Sequence, residues 1–222
     1  MDYGLKLSDN KNLIFLASAK YLSVYASYIY DVGIVIYLFS NTQSVEVIGG
    51  FFVSQLLPAI IILFTGKIID QNDKKKLLVV ANLFKSFIFL LLLFSQNIWI
   101  IYLVTFLMNL ILEFEGNTLS AFMVNAFSKE RLFKVSSVIN LLDSASLLTA
   151  PSIAAFIAMT FPIQANIIID VLLFLLTSVF FLFIKTNSMV EQTQIEKFEK
   201  ENSWKEILKN KNVIKTIAFK KF

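Results

Sequence analysis

The 222-residue chain contains no cysteine and no histidine. Without cysteine it forms no disulfide, and without either residue type it lacks the usual ligands of a zinc site. We therefore expect no metal and no other cofactor. Any proton that the protein binds or moves has to be carried by Asp, Glu, Lys or Tyr.

Charged residues are also scarce, at 16% of the chain, whereas 57% of the residues are hydrophobic and the mean hydropathy is +0.71. Soluble domains are about half apolar and about a quarter charged. So few charges cannot cover a soluble surface. The composition excludes a soluble enzyme, a disordered protein and a nucleic-acid-binding module, and it indicates an all-α protein that crosses a membrane several times.

Six apolar stretches are long enough to cross the bilayer core, which takes about 20 residues per helix. Short polar segments separate them, so the sequence predicts a six-helix transmembrane bundle over residues 13–184. A short segment, 1–12, precedes the bundle, and a basic tail, 185–222, follows it. The predicted spans are Leu13–Phe39, Val47–Thr65, Leu77–Phe94, Ile98–Phe122, Val135–Phe161 and Ile163–Ile184.

The distribution of Lys and Arg predicts the orientation of the bundle. The loops after the second and fourth spans carry these residues, and the loops after the first, third and fifth spans carry none. By the positive-inside rule both termini lie in the cytoplasm, and the expected location is a bacterial plasma membrane. Residues 185–222 hold nine Lys and five Glu, a net charge of +4, which favours contact with an anionic leaflet.

Residues 66–76, between the second and third spans, resemble the loop motif G-x-x-x-D-[RK]-x-G-[RK]-[RK] of the major facilitator superfamily. Gln71 and Asp73 depart from the motif. Gly66 is expected to let two helix ends approach closely, and Asp70 to pair with a cation or to cap a neighbouring helix. A plain positive-inside loop is the alternative interpretation. The matching residues are Gly66, Asp70, Lys74, Lys75 and Lys76.

The fifth span resembles the antiporter motif of the same superfamily, a run of small residues around a Gly-Pro pair. In this chain Ser or Ala replaces every glycine, so small size is kept throughout. Small residues allow close helix packing, and a proline bends the helix. Ordinary small-residue packing is the alternative for this segment. The motif positions are Ser137, Ser146, Ala150, Pro151, Ala154 and Ala155.

Together the two motifs and the topology resemble the N-terminal six-helix half of a major facilitator transporter. The similarity is to the macrolide-efflux-like and siderophore-exporter-like branch. Family members have twelve spans in two halves, so the chain is expected to be either a natural half-length product or a part of a longer protein.

The resemblance implies a proton-coupled exporter of a hydrophobic drug or related small molecule, and not an enzyme. The implied partners are the lipid bilayer, protons, the small hydrophobic substrate and a second six-helix half, covalent or separate, with no nucleic acid. A hypothesis of another class is a truncated, non-transporting half-bundle with an interaction or immunity role.

Charged side chains inside a bilayer-spanning helix are costly and mark functional sites. Asp31 in the first span and Glu113 in the fourth are predicted to carry the coupling proton, and Asp31 is the first choice. A water-exposed position at the outer end of its span is the alternative for Asp31. Glu113 lies at the centre of a polar stripe at helical spacing, and Glu115 points nearly the opposite way. The other members of the stripe are Thr105, Asn109, Gly116, Asn117 and Ser120.

Aromatic and polar residues on the first, fourth and fifth spans are predicted to line a substrate cavity suited to a lipophilic cation or a bulky amphiphile. Lys20 and Lys85 are the cations available within the spans, and Asp170 in the sixth span is interpreted as structural. The predicted cavity residues are Tyr21, Tyr25, Tyr28, Asn109, Asn117, Asn140 and Asp143.

Overall fold

The computed structural model of the chain describes residues 7–61, 65–127 and 129–184. Within these ranges all regular secondary structure is α-helical, as the composition predicted. The predicted tail, 185–222, lies outside the described residues. The helices are α1 (Leu7–Thr42), α2 (Val45–Leu56), α3 (Pro58–Ile61), α4 (Gly66–Gln71), α5 (Lys74–Phe94), α6 (Ile98–Ala126), α7 (Lys129–Thr160) and α8 (Ile163–Phe183).

Five of these helices, α1, α5, α6, α7 and α8, are long and apolar enough to cross a membrane. The shortest two, α5 and α8, have 21 residues each. At 1.5 Å per residue, a helix of that length spans about 30 Å, the thickness of the hydrocarbon core. The first, third, fourth, fifth and sixth predicted spans are thus confirmed as helices of membrane-spanning length.

The second predicted span is interrupted at Pro58. The apolar helical stretch Val45–Ile61 is shorter than the other five and divides into α2 and α3 at Leu57. Proline has no backbone N–H, so the hydrogen bond from position 58 to the carbonyl four residues earlier is missing, and the hydrogen-bond ladder of α2 is interrupted there. Residues 62–64 lie outside the described residues. A membrane crossing by the second predicted span, and with it the total of six spans and the placement of both termini in the cytoplasm, therefore stays a prediction.

Helix α1 packs mainly against α7 and α8. Helix α8 also packs against α5, which in turn packs against α6, and α2 lies along α6. Aromatic side chains fix the centre of this arrangement: the ring of Phe89 lies 4.7 Å from that of Tyr30 in an edge contact and is stacked on that of Phe174 at 5.6 Å. Such pairs stabilise the contact among α1, α5 and α8 beyond the area they bury.

A close approach between α2 and α6 requires glycine at position 50. The Tyr102 hydroxyl of α6 donates a hydrogen bond to the Val47 carbonyl at 2.7 Å. A Cβ atom added to Gly50 would lie 2.5 Å from that hydroxyl oxygen, so a larger residue would displace the tyrosine. This contact holds α2 in place beside the site described below.

Two apolar clusters form the core, and a polar layer separates them along the helices. On α1, Ser23 lies between Ala19 of one cluster and Ala26 of the other. On α5 the buried residues Asn82 and Lys85 likewise lie between members of the two clusters. The site is built on this polar layer.

Candidate functional site

A cavity of 340 Å³ lies between α1 and α6. Its size is within the usual range of small-molecule sites, about 300–1,000 Å³. From α1 it is lined by Lys20, Ser23, Val24, Ser27, Tyr28 and Asp31, and from α6 by Leu112, Glu115, Gly116 and Leu119.

The α1 residues of the cavity recur at intervals of three and four, which places them on one face of the helix. Lys20 and Asp31 stand at the two ends of this stripe. Eleven residues separate them, so their Cα atoms are about 16 Å apart along the helix axis. The cavity therefore carries a cation at one end and a carboxylate at the other.

The Asp31 carboxylate is held in place from α2. Its Oδ1 accepts a hydrogen bond from Gln55 Nε2 at 2.8 Å. Among the described residues no cation pairs with Asp31. A carboxyl group in this setting has a neutral amide donor on one oxygen and remains available to a proton or a positively charged ligand.

Lys85 and Glu115 form a buried ion pair beside the cavity. The ammonium of Lys85 contacts Glu115 Oε2, donates to Ser23 Oγ at 3.1 Å and lies 4.3 Å from the ring centroid of Phe174. The other carboxylate oxygen, Glu115 Oε1, accepts from Asn82 Nδ2 at 3.0 Å. Side chains of α1, α5, α6 and α8 meet here, and both charges have the partners that a buried pair requires.

A second ion pair is looser. Lys20 Nζ lies 3.5 Å from Asp143 Oδ1 on α7, and their side chains are 26% and 43% exposed. Exposed pairs of this kind contribute only about 0–1 kcal/mol. Lys20 therefore keeps most of its capacity to interact with a ligand.

Of the predicted proton carriers, the structure places Asp31 at the cavity and Glu113 away from it. Glu113 is exposed, and Glu115 is the α6 carboxylate that lines the cavity. Positions 113 and 115 are about 200° apart around a helix, and Lys85 fixes which of the two faces inward. The role of Glu113 in proton coupling stays a prediction.

Of the predicted substrate-contacting tyrosines, Tyr28 lines the cavity, whereas Tyr21 and Tyr25 lie beside it. The Tyr25 hydroxyl forms a 2.5 Å hydrogen bond with Thr149 Oγ1 on α7, and its ring lies 4.3 Å from that of Tyr21. Tyr25 precedes Asp31 by six residues, about 120° around the helix, so the two side chains diverge. The α1 residues that share the Asp31 face lie three, seven and eleven positions before it. Helical spacing from Asp31 therefore predicts the cavity-lining residues Tyr28, Val24 and Lys20.

The remaining predicted cavity residues also lie outside the cavity lining. Asn109 is half-buried and donates to the Thr105 carbonyl of its own helix at 3.0 Å. Asn117 and Asn140 are exposed, and Asp143 is the partner of Lys20. Asn109 and Asn117 lie on the same face of α6 as Glu113. Because α6 is oriented with Glu115 toward the cavity, this face points away from the cavity.

Two residues of the loop motif can be compared with their expected roles. A Cβ atom added to Gly66, the first residue of α4, would meet no atom within 4 Å among its described surroundings, so the close helix approach expected at Gly66 stays a prediction. Asp73, and not Asp70, caps the neighbouring helix: its carboxylate accepts from the backbone N–H groups of Lys75 and Lys76 at 2.9 and 3.2 Å. An Asp before a helix is a strong N-cap signal, which the sequence carried.

Lys75 of the same motif ties α5 to the end of α8. Its ammonium donates to the carbonyls of Leu182 and Ile184 at 2.9 and 2.7 Å, where α8 leaves carbonyl groups without helical partners.

We expect Lys75→Met to lower the free energy of unfolding by about 1–2 kcal/mol. Lys76→Met is the matched control, since that side chain is exposed. Thermal unfolding of both purified variants in detergent would measure the difference, and equal melting temperatures would contradict the assignment.

The small residues of the fifth span divide between the two faces of α7. Ser146, Ala150 and Ala154 are buried at intervals of four on one face, and α1 is the main packing partner of this helix. Ser137 is exposed, and α7 continues through Pro151 to Thr160. The buried residues serve close packing of α1 and α7, which ordinary packing also explains, so the antiporter interpretation stays a prediction.

Two buried acceptors on α8 have no hydrogen-bond partner in the described part of the chain. They are Oδ1 of Asn166 and Oδ1 of Asp170, and these residues are 2% and 1% exposed. They lie one turn apart on the same helix face.

Five helices long and apolar enough to cross a membrane, packed around a cavity with charged lining residues, are typical of a multi-pass membrane protein. Residues 16–220 match the family model described as Major Facilitator Superfamily, and the chain belongs to this family. It is therefore a membrane transporter, and the predicted superfamily is confirmed. No curated protein matches the chain.

Proposed function

We propose that this transporter exports a hydrophobic, positively charged small molecule across the plasma membrane in exchange for protons. In this proposal Asp31 binds the substrate and the proton alternately. The observation that carries the proposal is the position of Asp31, at the cavity with a neutral hydrogen-bond partner, Gln55. A carboxylate inside the bilayer is costly unless a proton or a cation neutralises it. Competition for one carboxyl group would couple proton entry to substrate release.

The other charged groups near the cavity fit this assignment. Glu115 and Lys85 neutralise each other, and a second donor, Asn82, occupies the remaining carboxylate oxygen. Val24, Leu112 and Leu119 supply an apolar lining. The ring of Tyr28 adds a face suited to a cation. The direction of transport, out of the cell, rests on the resemblance to the exporter branch, as does the macrolide-like class of substrate.

A second six-helix half is proposed to close the cavity. Polar side chains at bilayer depth need protein or water around them, and two stripes on this bundle are uncovered within the described chain. In alternating access the two halves would rock around a site near the midplane, with both termini of this chain in the cytoplasm. The uncovered residues are Glu113, Asn117 and Ser120 on α6 and Ser137, Asn140 and Ser144 on α7.

Proton release on binding tests the proposal directly. Purified protein in weakly buffered detergent solution would be mixed with tetraphenylphosphonium, a hydrophobic cation, while a pH indicator follows the medium. We expect saturable binding accompanied by acidification. Saturable binding without acidification would contradict the competition at Asp31. Absence of binding would favour the other hypothesis, a non-transporting half-bundle with an interaction or immunity role.

A further inference from the structure

We infer that the cavity takes a dipolar substrate, whose cationic group lies at Asp31 and whose anionic group is bound by Lys20. The inference rests on the proposed function for the cationic end and adds a second recognition point at the other end. It narrows the substrate class from hydrophobic cations to amphiphiles with two opposite charges separated by an apolar segment.

The position of Lys20 is the first reason. It lines the same cavity as Asp31, on the same face of α1, about 16 Å away along the helix axis. Its ammonium nitrogen is 3.5 Å from Asp143 Oδ1. A charge-assisted hydrogen bond is typically shorter, about 2.7–2.9 Å. An anionic group in the cavity could therefore take hydrogen bonds from Lys20 without breaking a strong one.

The contrast with Lys85 is the second reason. Lys85 is fully buried, and Glu115, Ser23 and the Phe174 ring surround its ammonium. That cation is neutralised inside the protein and does not line the cavity. Among the cavity-lining residues, Lys20 and Asp31 are thus the two charges that a ligand can still satisfy.

The lining between the two charges completes the pattern. Val24 of α1 and Leu112 and Leu119 of α6 are apolar, whereas Ser23 and Ser27 offer hydroxyl groups. A compound with a cation, an apolar middle and an anion matches this sequence of surfaces from Asp31 to Lys20. A compound with a cation alone would leave Lys20 with its loose pair to Asp143 and no partner in the ligand. Complementary charges on site and ligand give specificity.

A series of betaines tests the inference. Each probe is a trimethylammonium group joined by a straight alkyl chain of graded length to a carboxylate, and each is paired with its methyl ester, which keeps the cation and the chain. Binding to the purified full chain is measured by calorimetry. Above the chain length that reaches both charges, we expect the betaine to bind at least about tenfold more tightly than its ester, the effect of one hydrogen bond to a charged group.

Variants separate this inference from the proposed function. Lys20→Gln should abolish the preference for the betaine and leave the affinity for the ester unchanged. Lys134→Gln, an exposed lysine on α7, should keep the preference. Asp31→Asn should weaken both probes.

Three results would overturn the inference while the proposed function stands. They are equal affinity of betaine and ester at every length in the wild type, a preference that survives Lys20→Gln, and equal losses of both probes in Lys20→Gln, which would mark Lys20 as structural. Unchanged affinities in Asp31→Asn would instead remove the proposed function, and the cationic half of the inference with it.

Discussion

Replacing Glu115 by Leu is expected to lower the free energy of unfolding by about 3–5 kcal/mol, because it leaves the Lys85 ammonium buried without its counter-charge. The ion pair lies inside the polar layer between the two apolar clusters, where Lys85 is fully buried. Lys85→Met is expected to cost less. The Glu115 carboxylate lines the cavity and keeps the Asn82 donor, so water and one hydrogen bond would still stabilise its charge.

The double variant Lys85→Met, Glu115→Leu provides the control. Replacing a buried pair by apolar residues of similar volume is often neutral or stabilising, so the double variant should be close to the wild type and more stable than either single variant. Unfolding of the purified proteins in mixed micelles, followed by circular dichroism, would give the four values. Additive losses in the double variant would show that the two charges do not act as a pair.

Asp31→Asn is expected to abolish proton release on binding of tetraphenylphosphonium and to reduce its affinity about tenfold or more. Asparagine has the same shape and can still accept the hydrogen bond from Gln55, so the fold should be kept. What is lost is the negative charge and the exchangeable proton. The same indicator assay measures both effects.

Two further variants sharpen the result for Asp31. Asp31→Glu keeps a carboxyl group and should retain proton release. Glu46→Gln makes the same acid-to-amide change at an exposed residue in the first turn of α2 and should change nothing. Glu113→Gln examines the second predicted carboxylate. If proton release disappeared in Glu113→Gln and persisted in Asp31→Asn, the proton-binding residue would be Glu113, on the exposed face of α6, and not Asp31.

The helices were predictable because a bilayer imposes a minimum apolar length, and five predicted spans satisfy it in the structure. The second span was harder to predict, because Pro58 divides it into two helices and the number of consecutive apolar residues does not reveal such an interruption. The family was predictable from the loop after that span, where Asp70 and a run of lysines keep the motif even though Gln71 and Asp73 depart from it.

The site was only partly predictable, because helical periodicity groups residues into faces but does not say which face turns inward. The tyrosine stripe and the cavity stripe of α1 overlap at Tyr28, and only contacts made by other helices separate them. The same holds for Glu113 and Glu115, whose orientation depends on Lys85, a residue 30 positions earlier on another helix. The Asp73 cap, by contrast, was a purely local signal.

The ion pair also bears on how the protein enters the membrane during synthesis. Lys85 and Glu115 lie on consecutive helices, and the connection between α5 and α6 is only residues 95–97. A lone charged residue at the centre of an inserting helix costs about 2.5–3.5 kcal/mol. If α5 and α6 leave the insertion machinery as one hairpin, each charge meets its partner before either is exposed to lipid. The order of the two helices along the chain thus makes this buried ion pair compatible with stepwise insertion.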